Sequence, residues 1–231
     1  MPLRLVGGVA VLLRAPDGLP DALARSYRDV DFVTAKGAAG GVETLLRGEG
    51  YTPYVAFNAL HGRERLLFFD DARDRQIDVF VGSFSMSHKI PLGDRLELEP
   101  LTVPLAELLL TKLQIVELNE KDVRDTLALL LTHPLGETDG DCLNGAQVAR
   151  LCASDWGLWR TITANLAACR GRLADYDLTQ EERERIDSRF DELLERIEHE
   201  PKSRAWKLRA RIGERRRWYE LPEEVGEGPD A

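Results

Sequence analysis

Over roughly the first hundred residues, short β-branched or aromatic runs alternate with glycine-containing turns, the texture of strands set among short helices. Residues 54–57, 65–69 and 76–81 are expected as strands. Leu5-Val6-Gly7-Gly8, followed by Val9 to Leu13, reads as a short strand, a diglycine turn and the opening of an apolar helix or strand. In Asp29-Val30-Asp31-Phe32-Val33 the period of two puts both carboxylates on one face and turns Val30 and Phe32 toward a core. From Pro104 onward the period changes to three and four. Leu105, Leu108, Leu109, Leu113 and Val116 form one helical stripe, Val123, Leu127, Leu130 and Leu131 a second, and Ile186, Phe190, Leu193, Leu194 and Ile197 a third. Trp156, Leu158, Trp159, Ile162 and Leu166 have the spacing of a further buried stripe. Residues 133–141 combine Pro, two Gly and three acids, and a boundary is expected there. The chain therefore reads as α+β: a mixed sheet flanked by helices over residues 1–138, followed by an all-α C-terminal domain over 139–231. Fraying is expected at residues 223–231.

Composition narrows the functional classes. The 231 residues carry 40 acids against 31 bases, a net charge of −9, and neither half is basic enough to read as a nucleic-acid binder as a whole. No apolar run approaches the ~18 residues that span a bilayer, and the N-terminus lacks the pattern of a secretory signal, so a cytoplasmic protein without membrane partners is expected. Cys142, Cys152 and Cys169 fit neither a disulfide framework nor a zinc knuckle and are expected as small buried side chains. The four histidines show no ligand spacing. Charge segregates near the C-terminus: residues 175–200 hold 11 acids and 4 bases, residues 202–217 hold 8 bases and one acid. The basic segment, interleaved with Trp206, Trp218 and Tyr219, either packs Trp206, Leu208 and Ile212 inward and pairs with the acidic segment, or tracks an RNA backbone.

Candidate chemistry concentrates in the first half. Two carboxylates held on one strand face repel each other and lose hydration, and a divalent cation, Mg²⁺ by preference, is the usual remedy; the plain alternative is the polar face of an edge strand. Asp78 is a lone acid within an apolar strand, costly unless paired or metal-bound, and could join Asp29 and Asp31 on a neighbouring strand. Gly7 and Gly8, if they open a helix, leave N–H groups for a phosphate; otherwise they form a simple turn. Lys112 lies on the apolar side of its helix, facing a partner or snorkelling from the rim. Asp122 and Asp125 flank the next stripe, to close an active-site mouth or to cap a helix.

These elements, in this order, resemble the polymerase-β-type nucleotidyltransferase superfamily, and within it the AbiE-type toxin branch. The likeness rests on the diglycine turn, the h-D-h-D strand, the later strand with one Asp, Arg25 four residues before Asp29, Lys112, and Lys121-Asp122-Val123-Arg124-Asp125. It covers residues 3 to about 131. It implies a nucleotidyltransferase fold in which Asp29, Asp31 and Asp78 hold Mg²⁺, while Gly7, Gly8, Arg25 and Lys112 hold the triphosphate of an NTP. Lys112 and Asp122 join the catalytic group. It also implies transfer of a nucleotide to an acceptor hydroxyl, with RNA or tRNA among the acceptors, and a protein antitoxin as a possible partner in a toxin-antitoxin or defence pair. The alternative is a catalytically idle fold used for binding or regulation. Two departures stand out. Gly8 and Asp29 are 21 positions apart, longer than the pattern, and the first strand begins almost at Met1, without the helix that usually precedes it.

Overall fold

The computed structural model describes residues 1–221; the expected fraying at 223–231 lies outside the described residues. A five-stranded mixed sheet, in the order β1-β2-β5-β4-β3, is built from β1 (Leu3–Val6), β2 (Asp29–Thr34), β3 (Thr52–Pro53), β4 (Arg65–Asp70) and β5 (Arg75–Val81). β2 and β5 pair in parallel; the other three pairings are antiparallel. α1 (Gly7–Arg14) follows β1 directly, and α2 (Ala39–Gly48) and α3 (Val55–His61) lie in the crossover between β2 and β4. A small hairpin, β6 (Ser83–Ser85) with β7 (Lys89–Pro91), leads to α4 (Leu105–Leu113) and α5 (Glu120–Thr132).

Period-two alternation divides the sheet as expected. Val30, Phe32, Leu66, Phe68, Ile77 and Val79 form a small core with Val42 and Leu46 of α2 on one side. On the other side the strand starts are polar, whereas Val33 and Phe80, further along, enter the main core with Val6, Ala10 and Val11. The carboxylate strand thus runs from an open polar end into packed hydrocarbon.

One strand expectation is corrected. Residues 54–57 open α3 rather than a strand, because the short edge strand ends at Pro53, and α3 buries none of its residues. α4 stops at Leu113, so Ile115 and Val116 lie beyond the helix they were expected to continue. The segment following α5 holds β8 (Leu135–Gly136) and β9 (Leu143–Asn144), paired in parallel.

The C-terminal part consists of α6 (Gly145–Ser154), α7 (Trp156–Gly171), α8 (Gln180–His199) and α9 (Arg204–Ile212). Their starts are written in the sequence: Asn144, Asp155 and Ser203 accept N-cap hydrogen bonds, and Thr179 with Glu182 forms a capping box. The main core does not stop at position 138. It runs without a break from Leu5 through the α4 and α5 leucines to Cys152, Ile162, Leu166, Phe190 and Ile197, so the helices grow on the sheet domain's own core. Cys152 and Cys169 are buried and Cys142 half-buried, all as free thiols.

The expectation for the basic segment is corrected in two respects. Leu208 and Ile212 are exposed, and α9 buries no residue. Nor, among the described residues, do its bases form ion pairs with the carboxylates of the acidic helix. Lys202 donates to the carbonyls of Glu198 and Glu200 at the end of α8, while Asp187 and Asp191 of α8 are taken by Arg170 of α7. α9 instead leans on α6 and α7, with Trp206 edge-on to Trp159 at 5.2 Å.

Candidate active site

Strand register brings the carboxylates together. Asp31 is the direct partner of Asp78 across the parallel β2–β5 pair, Asp29 is opposite Gln76, and Val6 of β1 is opposite Asp31. Adjacent in-register residues share a face, so Asp29, Asp31 and Asp78 project to one side, as expected. They are not equivalent. Asp78 is buried and already engaged: Arg65 Nε donates to its Oδ1 at 2.6 Å and Gln76 Nε2 to its Oδ2 at 2.8 Å. Arg65 comes from the neighbouring antiparallel strand and was not singled out in the sequence; a lone Arg opening the apolar run Arg65-Leu66-Leu67-Phe68-Phe69 is the signal. Asp29 is exposed, and Asp31 faces the cavity at the sheet's polar end. Among the described residues, no group of three or more His, Cys, Asp or Glu is arranged to hold a metal ion. The oxygens available for a cation are those of Asp29 and Asp31, with Asp78 held back by Arg65.

Asp31 is electrostatically strained. Burial pushes its carboxyl up to about 7, the Asp78 charge and then that of Asp29 push the same way, and Lys112 and Arg65 oppose them. A bound cation would relieve this. The site therefore has a chemical reason to accept positive charge, a fit that rests on its own donors.

The diglycine starts α1, as one of the two sequence readings required. Gly7 has φ +73° and packs so closely on β2 that a Cβ there would fall 2.0 Å from Asp31 Oδ2. A Cβ on Gly8 would fall 1.9 Å from a terminal nitrogen of Arg25. Val6, the N-cap residue, offers no capping side chain, and no acid stands in the first turn. The helix start thus presents uncapped N–H groups beside a carboxylate and an arginine.

Opposite stands a buried charge network. Asp125, 1% exposed, accepts from Arg25 Nε at 2.9 Å and from a terminal Arg25 nitrogen at 2.7 Å, and pairs with Lys112 Nζ at 2.9 Å. Burial alone would raise its carboxyl, but Arg25 and Lys112 outweigh that and hold it below the usual range. Asp122 lies 3.8 Å from Lys112; burial raises its carboxyl and Lys112 only partly offsets this. Lys112 is inward-facing, as its helical position required, with its ammonium shared between these acids and the cavity. Arg25 also stacks over Tyr27, 4.3 Å from the ring centroid. Asp125, read from the sequence together with Asp122 as closing an active-site mouth or capping a helix, instead ties Arg25 to Lys112.

The cavity itself, about 650 Å³, is bounded by Gly7, Asp29, Asp31, Arg65, Lys112 and Asp122, with an apolar wall of Phe80, Phe84, Met86, Ile115 and Val116. Tyr219 and Leu221 from the C-terminal segment reach its mouth. A smaller recess of about 110 Å³ on the other side of Asp31 and Lys112 is lined by Gly8, Arg25, Tyr27, Arg28 and Lys121. An anionic ligand could therefore contact the glycines, Lys112 and Arg25 while an uncharged ring lay against Phe80 and Val116.

No helix among the described residues is long and apolar enough to cross a membrane. Comparisons of the chain with protein-family models, curated proteins and solved structures give no match.

Proposed function

We propose that the protein is an Mg²⁺-dependent nucleotidyltransferase of the polymerase-β type, nearest in its motifs to the AbiE-type toxin branch, moving a nucleotide from an NTP to an acceptor hydroxyl. The observation that carries this reading is the apposition of the uncapped α1 start with Asp31: a positive-φ glycine lets a helix end of the kind that suits a phosphate share one small space with a carboxylate. A divalent cation held by Asp29 and Asp31 would supply charge neutralisation for the triphosphate. The N–H groups at Gly7 and Gly8 face the phosphates, and Lys112 offers the donors that Asp125 leaves free. In the transfer, the acceptor hydroxyl gives up its proton to solvent, its oxygen bonds to the α-phosphorus, and the bond from that phosphorus to the bridging oxygen breaks so that pyrophosphate leaves. The protein's share is positioning and charge neutralisation. Asp125 touches neither reactant in this scheme; it fixes Arg25 and Lys112 relative to each other. Calorimetric titration with each NTP, with and without Mg²⁺, tests the reading. It expects metal-dependent binding of at least one NTP that is lost in Asp29→Ala/Asp31→Ala, and the reading fails if no NTP binds under any condition.

A second reading, an idle nucleotidyltransferase-like fold that binds or regulates, is favoured by one observation. Asp78, expected as a third metal ligand, is ion-paired with Arg65 and accepts a hydrogen bond from Gln76. NTP binding without pyrophosphate release in the presence of diverse acceptors would support it.

A further inference from the structure

A second cavity, about 560 Å³, lies between α7, α9 and the C-terminal segment, walled by Trp156, Trp206, Trp218 and Tyr219 with Arg209 and Arg217. Its rings meet edge-on, Trp156 to Trp218 at 6.0 Å and Trp218 to Tyr219 at 5.4 Å, and Trp206 and Trp218 are half-exposed. The Arg209 guanidinium lies 4.6 Å from the Trp156 centroid and that of Arg217 5.2 Å from the Tyr219 centroid. Of the two acids on the wall, Asp155 is committed to the N-terminal amides of α7, which leaves Glu220. Outside the cavity, α9 exposes Arg204, Lys207 and Arg211, none of which has an ion pair among the described residues. Eight bases stand against one acid over residues 202–217, and that acid, Glu214, is paired with Arg160. A helix that buries nothing and concentrates cations inside a chain of net charge −9 is poorly explained as packing.

We propose that this cavity and the exposed face of α9 bind single-stranded nucleic acid: bases stack on the tryptophans, and the phosphates follow the arginines. Ser87 and Tyr219 line both this cavity and the one holding Asp29 and Asp31. The two cavities adjoin at Tyr219, so a strand lying here would need only to pass that residue to bring its end to the carboxylates. This last step rests on the transferase reading and makes the strand the acceptor; the binding does not depend on it.

Fluorescence anisotropy of a labelled mixed-sequence RNA octamer, without NTP or Mg²⁺, tests the site on the wild-type protein and on Trp206→Ala and Arg217→Ala, each checked for fold by circular dichroism. Expected is binding at 50 mM salt that weakens several-fold at 200 mM, with at least a tenfold loss in Trp206→Ala and a measurable loss in Arg217→Ala. Arg217 is exposed, and its only described ring partner is Tyr219, so that variant remains informative even if Trp206→Ala unfolds. The proposal is overturned by the absence of octamer binding at 50 mM salt, by binding that Arg217→Ala leaves unchanged, or by an octaglutamate peptide that binds more tightly than the RNA. Octamer binding without any NTP binding would remove the transferase reading and leave this site standing. The reverse pattern would remove this site alone.

Discussion

The replacement Gly7→Ala probes the joint on which the candidate site depends. At φ +73° an alanine enters left-handed backbone, at about 1–2 kcal/mol. Its Cβ would fall 2.0 Å from Asp31 Oδ2, whereas ordinary contact begins at 3.4 Å, so the carboxylate must retreat by the difference, about 1.4 Å. Asp31 sits on a strand bonded on both sides, so the retreat comes from its χ angles, adding about 0.5–1.5 kcal/mol. The sum is roughly 1.5–3.5 kcal/mol, read by urea unfolding followed through tryptophan fluorescence. Mg²⁺-dependent NTP binding should fall at least tenfold, because the displaced group is a proposed cation ligand. Gly8→Ala is the companion variant: its φ is not positive and alanine favours a helix by about 1 kcal/mol, but its Cβ would fall 1.9 Å from a terminal nitrogen of Arg25, which Asp125 holds in place, so its loss should come from disturbing that pair rather than from backbone strain. If Gly7→Ala unfolds within about 0.5 kcal/mol of wild type and binds NTP normally, the close packing of α1 on Asp31 does not shape the site.

Three further outcomes are expected. Asp125→Ala should lose about 3–5 kcal/mol in chemical denaturation, because it strands Arg25 and Lys112, whereas Lys112→Met, which leaves Asp125 paired with Arg25, should lose under about 2; the opposite ranking would refute the network. Asp31 has a folded-state pKa near 7, above the ordinary carboxylate value, so the native state holds the extra proton and stability falls as pH rises from about 4 to 7. The upper limit is about 4 kcal/mol; with the carboxylate facing the water of the cavity, about 1–2 is expected. In metal-free buffer Asp31→Asn should therefore gain on wild type between pH 5 and pH 8, and a pH-independent difference would contradict the assignment. Leu208→Ser on α9 should change stability by less than about 0.5 kcal/mol while Phe190→Ala on α8 loses about 3–5, by the same denaturation assay.

What could be read in the sequence was whatever is periodic. Alternation placed Asp29, Asp31 and Asp78 on one sheet face, and the helical stripes from Leu105, Val123 and Ile186 are buried as their spacing required. Lys112 was legible because its neighbours three and four positions away are apolar, even though α4 stops before Ile115. Pairing partners were not legible. Nothing local says that Arg65, 13 residues before Asp78, crosses to it from the next strand, or that Arg25 meets Asp125 a hundred positions on. α3 failed for the opposite reason: Tyr54, Val55 and Phe57 favour a strand individually, but with Pro53 ending the edge strand they turn into a short helix on the surface. The stripe of Trp206, Leu208 and Ile212 has the periodicity of a packed face. By the time the chain reaches α9, the α4–α8 core is filled, and only Trp206 finds neighbours.

The parallel pairing of β2 with β5 sets the order in which this protein can become competent. Asp31 and Asp78 are 47 positions apart and meet only after β3, β4 and both intervening helices have been made. Lys112 and Asp125 arrive later still, and Tyr219 and Leu221 last, with Glu220 bonded through its amide to the carbonyl of Ser87. A chain emerging from the ribosome therefore carries Asp31 for 81 residues before Lys112 is made, and for longer before the residues that line the cavity mouth. Non-local pairing of this kind is slow. The candidate site is consequently a late feature of this fold, completed only once Tyr219 and Leu221 have been released.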